Sequence, residues 1–94
     1  MKYLLDTCVL SEMTRARPSE SVVAWLSAQD PQSLYVSALT IGEAERNGLK
    51  RPSVDALIAA TALTHHMTLV TRNVADMAGM GVSLFNPFEQ GAQD

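Results

Sequence analysis

The sequence has few of the features that mark secreted or membrane proteins. Its 94 residues include a single cysteine, Cys8, so no disulfide can form within the chain, and a reducing cytoplasm is the expected compartment. No apolar run approaches the roughly 20 residues of a membrane-spanning helix. The first residues lack the charged, apolar and small-residue order of a signal peptide. We therefore expect no membrane association.

Basic side chains are also scarce, since 7 lysines and arginines face 10 acidic residues and the net charge is −3. This balance argues against a non-specific nucleic-acid binder, which usually carries a basic face. The apolar fraction of 47% is ordinary for a globular chain with a core. We assign residues 1–89 to one small domain and residues 90–94 to a C-terminal tail. A domain this small buries a modest share of its surface, which favours a homodimer.

Short apolar runs alternate with helical patterns along the chain. The predicted strands are the run that ends at Asp6 and residues 34–37, 67–71 and 82–85. The predicted helices follow Asp6, begin after Ser19, and cover residues 40–48, 53–66 and 74–80. This order predicts a compact α/β fold, with about four mainly parallel strands flanked by helices. We expect the Asp6 strand and strand 67–71 at its centre, and strand 34–37 at one margin.

Four carboxylates stand near the ends of these elements: Asp6, Glu43, Asp55 and Asp76. In open α/β sheets the ligand crevice lies beyond the carboxyl ends of the strands, where Asp6 would sit. A buried carboxylate is costly unless it is paired, hydrogen-bonded or bound to a metal. The set therefore suggests a cluster that holds a hard divalent cation.

Each of these acids also has a simpler interpretation. Asp6 can cap the helix that follows it, and Asp55 can gain from the dipole in the first turn of its helix. Taken singly, Glu43 and Asp76 read as solvated surface acids. Arg72 is a candidate phosphate contact, and a structural ion pair with an acid explains it equally well.

Several stretches, taken in order, carry a resemblance to a known family. They are Tyr3-Leu4-Leu5-Asp6-Thr7 with Val9-Leu10-Ser11-Glu12, Leu34-Tyr35-Val36-Ser37 with Gly42-Glu43, Asp55-Ala56-Leu57-Ile58-Ala59-Ala60-Thr61-Ala62, Leu69-Val70-Thr71-Arg72-Asn73 and Phe85-Asn86-Pro87-Phe88. Together they resemble the PIN-domain family, in particular the VapC-type and FitB-type toxins of bacterial toxin–antitoxin modules. The similarity extends over nearly the whole chain.

The resemblance implies a magnesium-dependent endoribonuclease toxin, with Mn²⁺ as a substitute metal, an RNA substrate and a cognate antitoxin protein. Asp6, Glu43 and Asp55 match the family's catalytic acids position by position, and we predict Asp6 and Asp55 as direct metal ligands. The fourth family position falls at Asn73, so either Asn73 or Asp76, three residues further on, completes the catalytic set. In this reading Thr7, Thr71 and Asn73 support the acidic residues. Arg72 contacts the substrate.

The chain departs from the family pattern at three points. Asn73 stands where aspartate is frequent, Cys8 replaces the usual asparagine, and only 12 positions separate Glu43 from Asp55. The family has several helices and an edge strand in that interval. Twelve extended residues reach about 40 Å, so the two carboxylates can still meet.

These departures support an alternative, a shortened non-catalytic PIN-like protein that binds an antitoxin or a partner toxin. A third reading is a phosphotransfer enzyme with a strand-end aspartate nucleophile. The absence of a second aspartate two residues after Asp6 counts against its haloacid-dehalogenase form.

Overall fold

A computed structural model describes the backbone of residues 1–37 and 51–89, and the side chains of residues 1–37 and 56–89. Its four strands are β1 (Tyr3–Leu5), β2 (Leu34–Val36), β3 (Thr68–Val70) and β4 (Leu84–Phe85). Its α-helices are α1 (Thr7–Met13), α2 (Glu20–Ala28), α3 (Arg51–Thr64) and α4 (Val74–Met77). Short 3₁₀ turns at Pro31–Ser33 and Ala78–Met80 precede β2 and β4.

The described strands form one sheet in the order β2-β1-β3-β4, and every pairing is parallel. Leu4 pairs with Tyr35 on one side and with Leu69 on the other, so β1 is a central strand. The predicted α/β fold and the central position of the Asp6 strand and the 67–71 strand are confirmed. Strand β2 lies at one margin of the described sheet, as predicted.

Side chains of the two central strands alternate between two apolar layers, as successive strand residues must. Leu4 and Leu69 pack on one face with Ile58 and Ala62 of α3 and with Met77 of α4. The neighbouring residues Leu5 and Val70 pack on the opposite face with Val9 of α1 and Val22 of α2. The sheet therefore separates α3 and α4 from α1 and α2. Trp25 packs on the second face, where its ring meets those of Tyr3 and Phe85.

The main differences from the predicted elements lie at their ends. The first helix ends at Met13, before Arg17, and β4 begins at Leu84, because pairing with β3 starts at the Leu69–Leu84 pair. The long helix occupies Arg51–Thr64 where residues 53–66 were expected. The predicted helix over 40–48 and the tail 90–94 lie outside the described residues. No helix in the described part of the chain is long and apolar enough to span a membrane.

Candidate active site

Asp6 lies at the carboxyl end of the central strand β1, where the chain passes into α1. Its backbone N–H donates to the carbonyl of Val70 at 3.0 Å, which extends the parallel pairing with β3 by one residue. Its own carbonyl accepts the N–H of Val9 at 3.0 Å and so begins α1. The residue is fully buried. Strand pairing and helix initiation thus fix the backbone on both sides of this carboxylate.

Hydrogen bonds from Thr7 and Thr71 orient the Asp6 carboxylate. Oδ1 accepts the backbone N–H of Thr7 at 2.7 Å, and Oδ2 accepts the hydroxyl of Thr71 at 2.8 Å. Hydrogen bonds to an ionised acceptor are short and strong, which offsets the cost of burying the charge. Asp6 therefore does cap α1, through the Thr7 N–H, and at the same time is tied to the end of β3.

Thr71 connects Asp6 to the segment that follows β3. The side chain is fully buried, and its hydroxyl accepts the backbone N–H of Asn73 at 3.0 Å while donating to Asp6. Asn73 is half-buried and precedes α4 without capping that helix through its side chain. The segment after β3 is thus held against the Asp6 edge by a hydrogen-bonded chain of three residues.

The thiol of Cys8 lies in the same corner. Its Sγ accepts the backbone N–H of Arg72 at 3.3 Å and is 3.7 Å from the hydroxyl of Thr71 and 3.9 Å from Oδ2 of Asp6. The side chain is half-buried. A sulfur atom therefore occupies the place beside Asp6 where the family resemblance implies an asparagine amide.

The structure describes the other predicted acids only in part. Asp76 is exposed in the first turn of α4, where a negative charge interacts favourably with the helix dipole. Asp55 lies on α3, but its side chain is outside the described residues, and so is the whole of Glu43. Convergence of the four carboxylates therefore stays a prediction. Within the described side chains, no three His, Cys, Asp or Glu residues are grouped to hold a metal ion.

A second buried carboxylate, that of Glu12, is absent from the sequence-based set. Its Oε2 accepts the backbone N–H of Ser19 at 2.7 Å, and its Oε1 lies 3.2 Å from Nη1 of Arg15 and 3.5 Å from Nη2 of Arg72. The hydrogen bond from Ser19 holds the pKa of Glu12 below its ordinary value of 4.5. Arg15 and Arg72 also lower the pKa of Glu12, whereas burial of the carboxylate raises it. The ion-pair interpretation of Arg72 is thus present in the structure, while its phosphate contact stays a prediction.

The sequence does contain a signal that points to Glu12. The residue follows Val9 by three positions and Cys8 by four, so it falls on the same face of α1 as those two side chains. Val9 is fully buried and Cys8 half-buried. An acid on the inward face of a helix needs a partner. That partner, Arg72, lies 60 positions away, and only the fold brings the two together.

The donor chemistry at the Asp6 edge fits a hard divalent cation. Mg²⁺ binds oxygen ligands, which Asp6 supplies, whereas the thiol of Cys8 is a soft ligand suited to other metals. Hydrogen bonds such as those from Thr7 and Thr71 are the usual support of a metal-binding carboxylate. A cleft of about 240 Å³ lies elsewhere, at the opposite edge of the sheet, with His66, Thr68 and Ser83 in its walls. None of the described residues that line this cleft carries a carboxylate, so among the described residues the fit to a hard cation is at the Asp6 edge.

Comparison with known proteins identifies relatives of one kind. No protein-family model matches the chain. Toxin FitB of Neisseria gonorrhoeae is 27% identical over 135 aligned positions, which span 90% of this chain and 97% of the relative. VapC ribonuclease Y4jK of Sinorhizobium fredii is 25% identical, spanning 92% of this chain and 97% of the relative. Plasmid stability protein StbB of Pseudomonas syringae pv. tomato is also 25% identical, spanning 92% of this chain and 98% of the relative.

Solved structures agree with these sequence relatives. The crystal structure of FitAcB from Neisseria gonorrhoeae matches with a TM-score of 0.80 and 26% identity, covering 93% of this chain and 99% of the other. The structure of FitAB bound to an IR36 DNA fragment matches with a TM-score of 0.80 and 27% identity, covering 93% and 96%. The 135 positions aligned with toxin FitB exceed the 94 residues of this chain by 41, so that relative contains an internal stretch which this chain lacks.

Proposed function

The chain is a PIN-domain protein of the VapC and FitB toxin type, and from this premise we propose that it is a magnesium-dependent endoribonuclease toxin of a toxin–antitoxin module. The substrate is RNA, the reaction is hydrolysis of a phosphodiester, and Mn²⁺ substitutes for Mg²⁺. The single cysteine favours action in the reducing cytoplasm.

The buried Asp6 carboxylate is the observation that carries the proposal. It stands at the carboxyl end of a central parallel strand, the place where α/β sheets bind ligands. A carboxylate needed only as a helix cap gains nothing from complete burial, because surface caps serve equally well. Thr71 holds Oδ2 of Asp6 in one orientation, as a metal-binding or catalytic carboxylate requires.

Each residue of the proposed site has its own role in binding the metal or supporting it. Asp6 and Asp55 would hold Mg²⁺ directly, and Glu43 and Asp76 would complete the acidic set. The side-chain carbonyl oxygen of Asn73 would be a further possible ligand beside the acidic set. When bound, Mg²⁺ activates water and offsets the charge that develops on the phosphate. Asp6 keeps its orientation through Thr7 and Thr71 while that charge develops.

Arg72 is the proposed substrate contact. Its guanidinium is half-exposed, and its backbone N–H bonds to Cys8 beside Asp6. Arg46, Lys50 and Arg51, which lie outside the described side chains, add positive charge in the sequence. Because a phosphate contact releases counterions, RNA binding should weaken as the salt concentration rises.

The proposed protein partner is a cognate antitoxin. One structural relative is a FitAB complex bound to DNA, which supports a toxin that works in an assembly. We also propose a homodimer, because a domain of this size gains stability by burying more surface. Light scattering of the purified chain at micromolar concentration checks this, and a monomer would contradict it.

Two observations favour a second candidate function. The alignment with toxin FitB is 41 positions longer than this chain, so the chain lacks a stretch that toxin FitB has. In addition, the thiol of Cys8 lies beside the Asp6 carboxylate. A shortened site of this kind could serve only to bind an antitoxin or partner toxin. Such a protein would bind its partner without cleaving RNA.

The experiment uses antitoxin-free protein and a labelled single-stranded RNA of mixed sequence. We expect cleavage with Mg²⁺ or Mn²⁺, none with chelator, and a loss of at least about 100-fold in Asp6→Asn, because charge stabilisation of this kind contributes several kcal/mol. Asp30→Asn is the matched control. Asp30 caps the 3₁₀ turn before β2, so it lies at the amino ends of the strands, whereas Asp6 lies at their carboxyl ends. Asp6→Asn purified in the same way also controls for contaminating ribonuclease. Partner binding without cleavage would establish the second candidate instead.

A further inference from the structure

Arg15 and Arg72 come together on one buried carboxylate, although they lie 57 positions apart in the chain. Both guanidinium groups contact the same atom, Oε1 of Glu12, at 3.2 and 3.5 Å. Nη1 of Arg15 and Nη2 of Arg72 are therefore within about 7 Å of each other. Two positive charges face one negative charge, so the group keeps a net positive charge in a chain whose net charge is −3.

The three side chains differ in their access to solvent. Glu12 is 5% exposed, whereas Arg15 is 65% and Arg72 is 52% exposed. A ligand can thus reach the two arginines but not the carboxylate that holds them. Ser19 fixes this carboxylate through a 2.7 Å hydrogen bond from its backbone N–H. The arrangement is an anchored acid that presents two cations outwards.

Arg72 makes a second contact besides its ion pair with Glu12. Its guanidinium carbon lies over the Phe88 ring, 4.0 Å from the ring centre, which is a cation–π contact. The N–H donors of a guanidinium lie in its own plane, where they match the oxygens of a phosphate. Two charge-assisted hydrogen bonds of about 2.8 Å to one phosphate group can bridge donors roughly 7 Å apart.

The pair lies beside Asp6 and not on it. Glu12 follows Asp6 by six residues along α1, a rise of about 9 Å. Arg72 directly follows Thr71, whose hydroxyl bonds to Asp6. A phosphate on the two arginines would therefore be a neighbour of the phosphate that reacts at Asp6.

We propose that Arg15 and Arg72 form a phosphate-binding subsite for the RNA strand next to the scissile bond, with Glu12 as the positioning residue that holds both guanidinium groups in place. This inference rests on the proposed function, because RNA is the substrate in both. It adds Arg15 to the substrate contacts and gives Glu12 a role that does not involve the metal.

The test measures binding of a labelled single-stranded RNA of mixed sequence in chelator, so that cleavage cannot occur. Arg15→Ala and Arg72→Ala should each weaken binding about three- to tenfold. RNA binding by the double variant should depend less steeply on salt. The negative slope of log affinity against log salt concentration should become smaller in magnitude by about 0.7, the value for one phosphate contact. Lys2→Ala is the matched control, because it removes one positive charge at the far end of β1, and it should change affinity less than twofold.

Glu12→Gln separates positioning from simple charge. The substitution makes the chain more positive by one charge, so charge alone predicts tighter RNA binding. If Glu12 instead holds the two guanidinium groups in place, Glu12→Gln should bind RNA at least about threefold more weakly, with an unchanged fold by circular dichroism. Unchanged or tighter binding would overturn the role of Glu12. If Glu12→Gln does not fold, Arg72→Lys replaces it, because lysine keeps the charge and lacks the planar fork. Wild-type affinity in Arg72→Lys would then overturn the proposal.

Cleavage kinetics keep this inference distinct from the proposed reaction. The double arginine variant should raise KM with little change in kcat, since the subsite lies away from the reacting phosphate. If the double variant cleaves RNA with an unaltered KM, the subsite proposal is wrong but the proposed ribonuclease function stands. Arginine-dependent RNA binding without any cleavage would overturn the reaction alone. If the variants bind RNA normally but lose an acidic protein partner, the pair is a protein contact and the inference fails.

Discussion

At the scale of single residues, the candidate site depends on buried polar groups that satisfy one another. Asp6 and Thr71 are both fully buried, and one hydroxyl links the carboxylate to the segment after β3. Removing one member of such a group leaves its partners unsatisfied in a dry environment, which costs more than the net worth of the bond.

Thr71→Val tests this linkage with a side chain of similar shape. The change leaves Oδ2 of Asp6 without the hydroxyl donor and the N–H of Asn73 without its acceptor. We expect the free energy of unfolding to fall by about 1–3 kcal/mol in urea denaturation. Thr61→Val is the matched control, because that hydroxyl bonds only to the carbonyl of Leu57 within α3. Equal losses in both variants would contradict the linkage.

Glu12 makes stability depend on pH in a definite direction. Its pKa in the folded chain lies below the ordinary 4.5, chiefly because of the hydrogen bond from Ser19. The stabilisation is therefore fully present above about pH 4.5 and is lost as the pH falls through the folded pKa. The melting temperature of Glu12→Gln should lie well below that of the wild type at pH 7, and the difference should shrink at about pH 3.

The exposed Glu20→Gln variant is the control for this pH series. Glu20 lies in the first turn of α2 and is open to solvent. We expect its difference from the wild type to be small at both pH values. A Glu12→Gln difference that stays constant from pH 7 to pH 3 would show that the carboxylate charge contributes nothing to stability.

At the scale of elements, apolar runs were sufficient to predict the strands, and local rules failed at their ends. Leu4 and Leu5 face opposite layers of the core, so the run before Asp6 has to be apolar without interruption. Helix α1 ends at Met13, where the hydroxyl of Thr14 donates to the carbonyl of Ser11. The contacts of Glu12 with Ser19 and Arg72 join residues that no local pattern connects, so the sequence predicted Asp6 but not the Glu12 cluster.

The end of α3 illustrates what the sequence leaves open. His66 has a left-handed backbone, with φ of 57°, and its N–H donates to the carbonyl of Leu63 while that of Met67 donates to Ala62. This pair of bonds is the Schellman pattern of helix termination, which usually places glycine at the left-handed position. The sequence predicted a helix that ends near residue 66, but a histidine at that position gives no sign that its backbone is left-handed.

His66→Gly should stabilise the protein. A left-handed residue with a side chain costs roughly 1–2 kcal/mol, and glycine removes that cost while adding about 0.4–1 kcal/mol of unfolded-state entropy. We expect a net gain of about 0.5–1 kcal/mol in the free energy of unfolding, measured in urea. His65→Gly, one residue earlier, should instead destabilise by a similar amount. A loss in His66→Gly would mean that the imidazole makes a contact worth more than the backbone strain.

At the scale of the whole molecule, the parallel sheet brings together residues that are far apart in sequence. Asp6 and Thr71 are 65 positions apart, yet pairing of β1 with β3 places their side chains within a hydrogen bond. A cation bound to Asp6 would be linked through Thr71 to the second half of the chain as well. Binding there should therefore stabilise the fold as a whole.

Metal binding is the last prediction, and it can be checked without RNA. If Asp6 belongs to a divalent-cation site, Mg²⁺ or Mn²⁺ at 100 times its Kd should add about 2.7 kcal/mol to the free energy of unfolding and raise the melting temperature. Asp6→Asn should lose most of that increase, while Asp30→Asn should keep it, because its carboxylate only caps the turn before β2. A wild-type melting temperature that does not respond to either cation would exclude the metal site and leave the partner-binding function as the explanation of this fold.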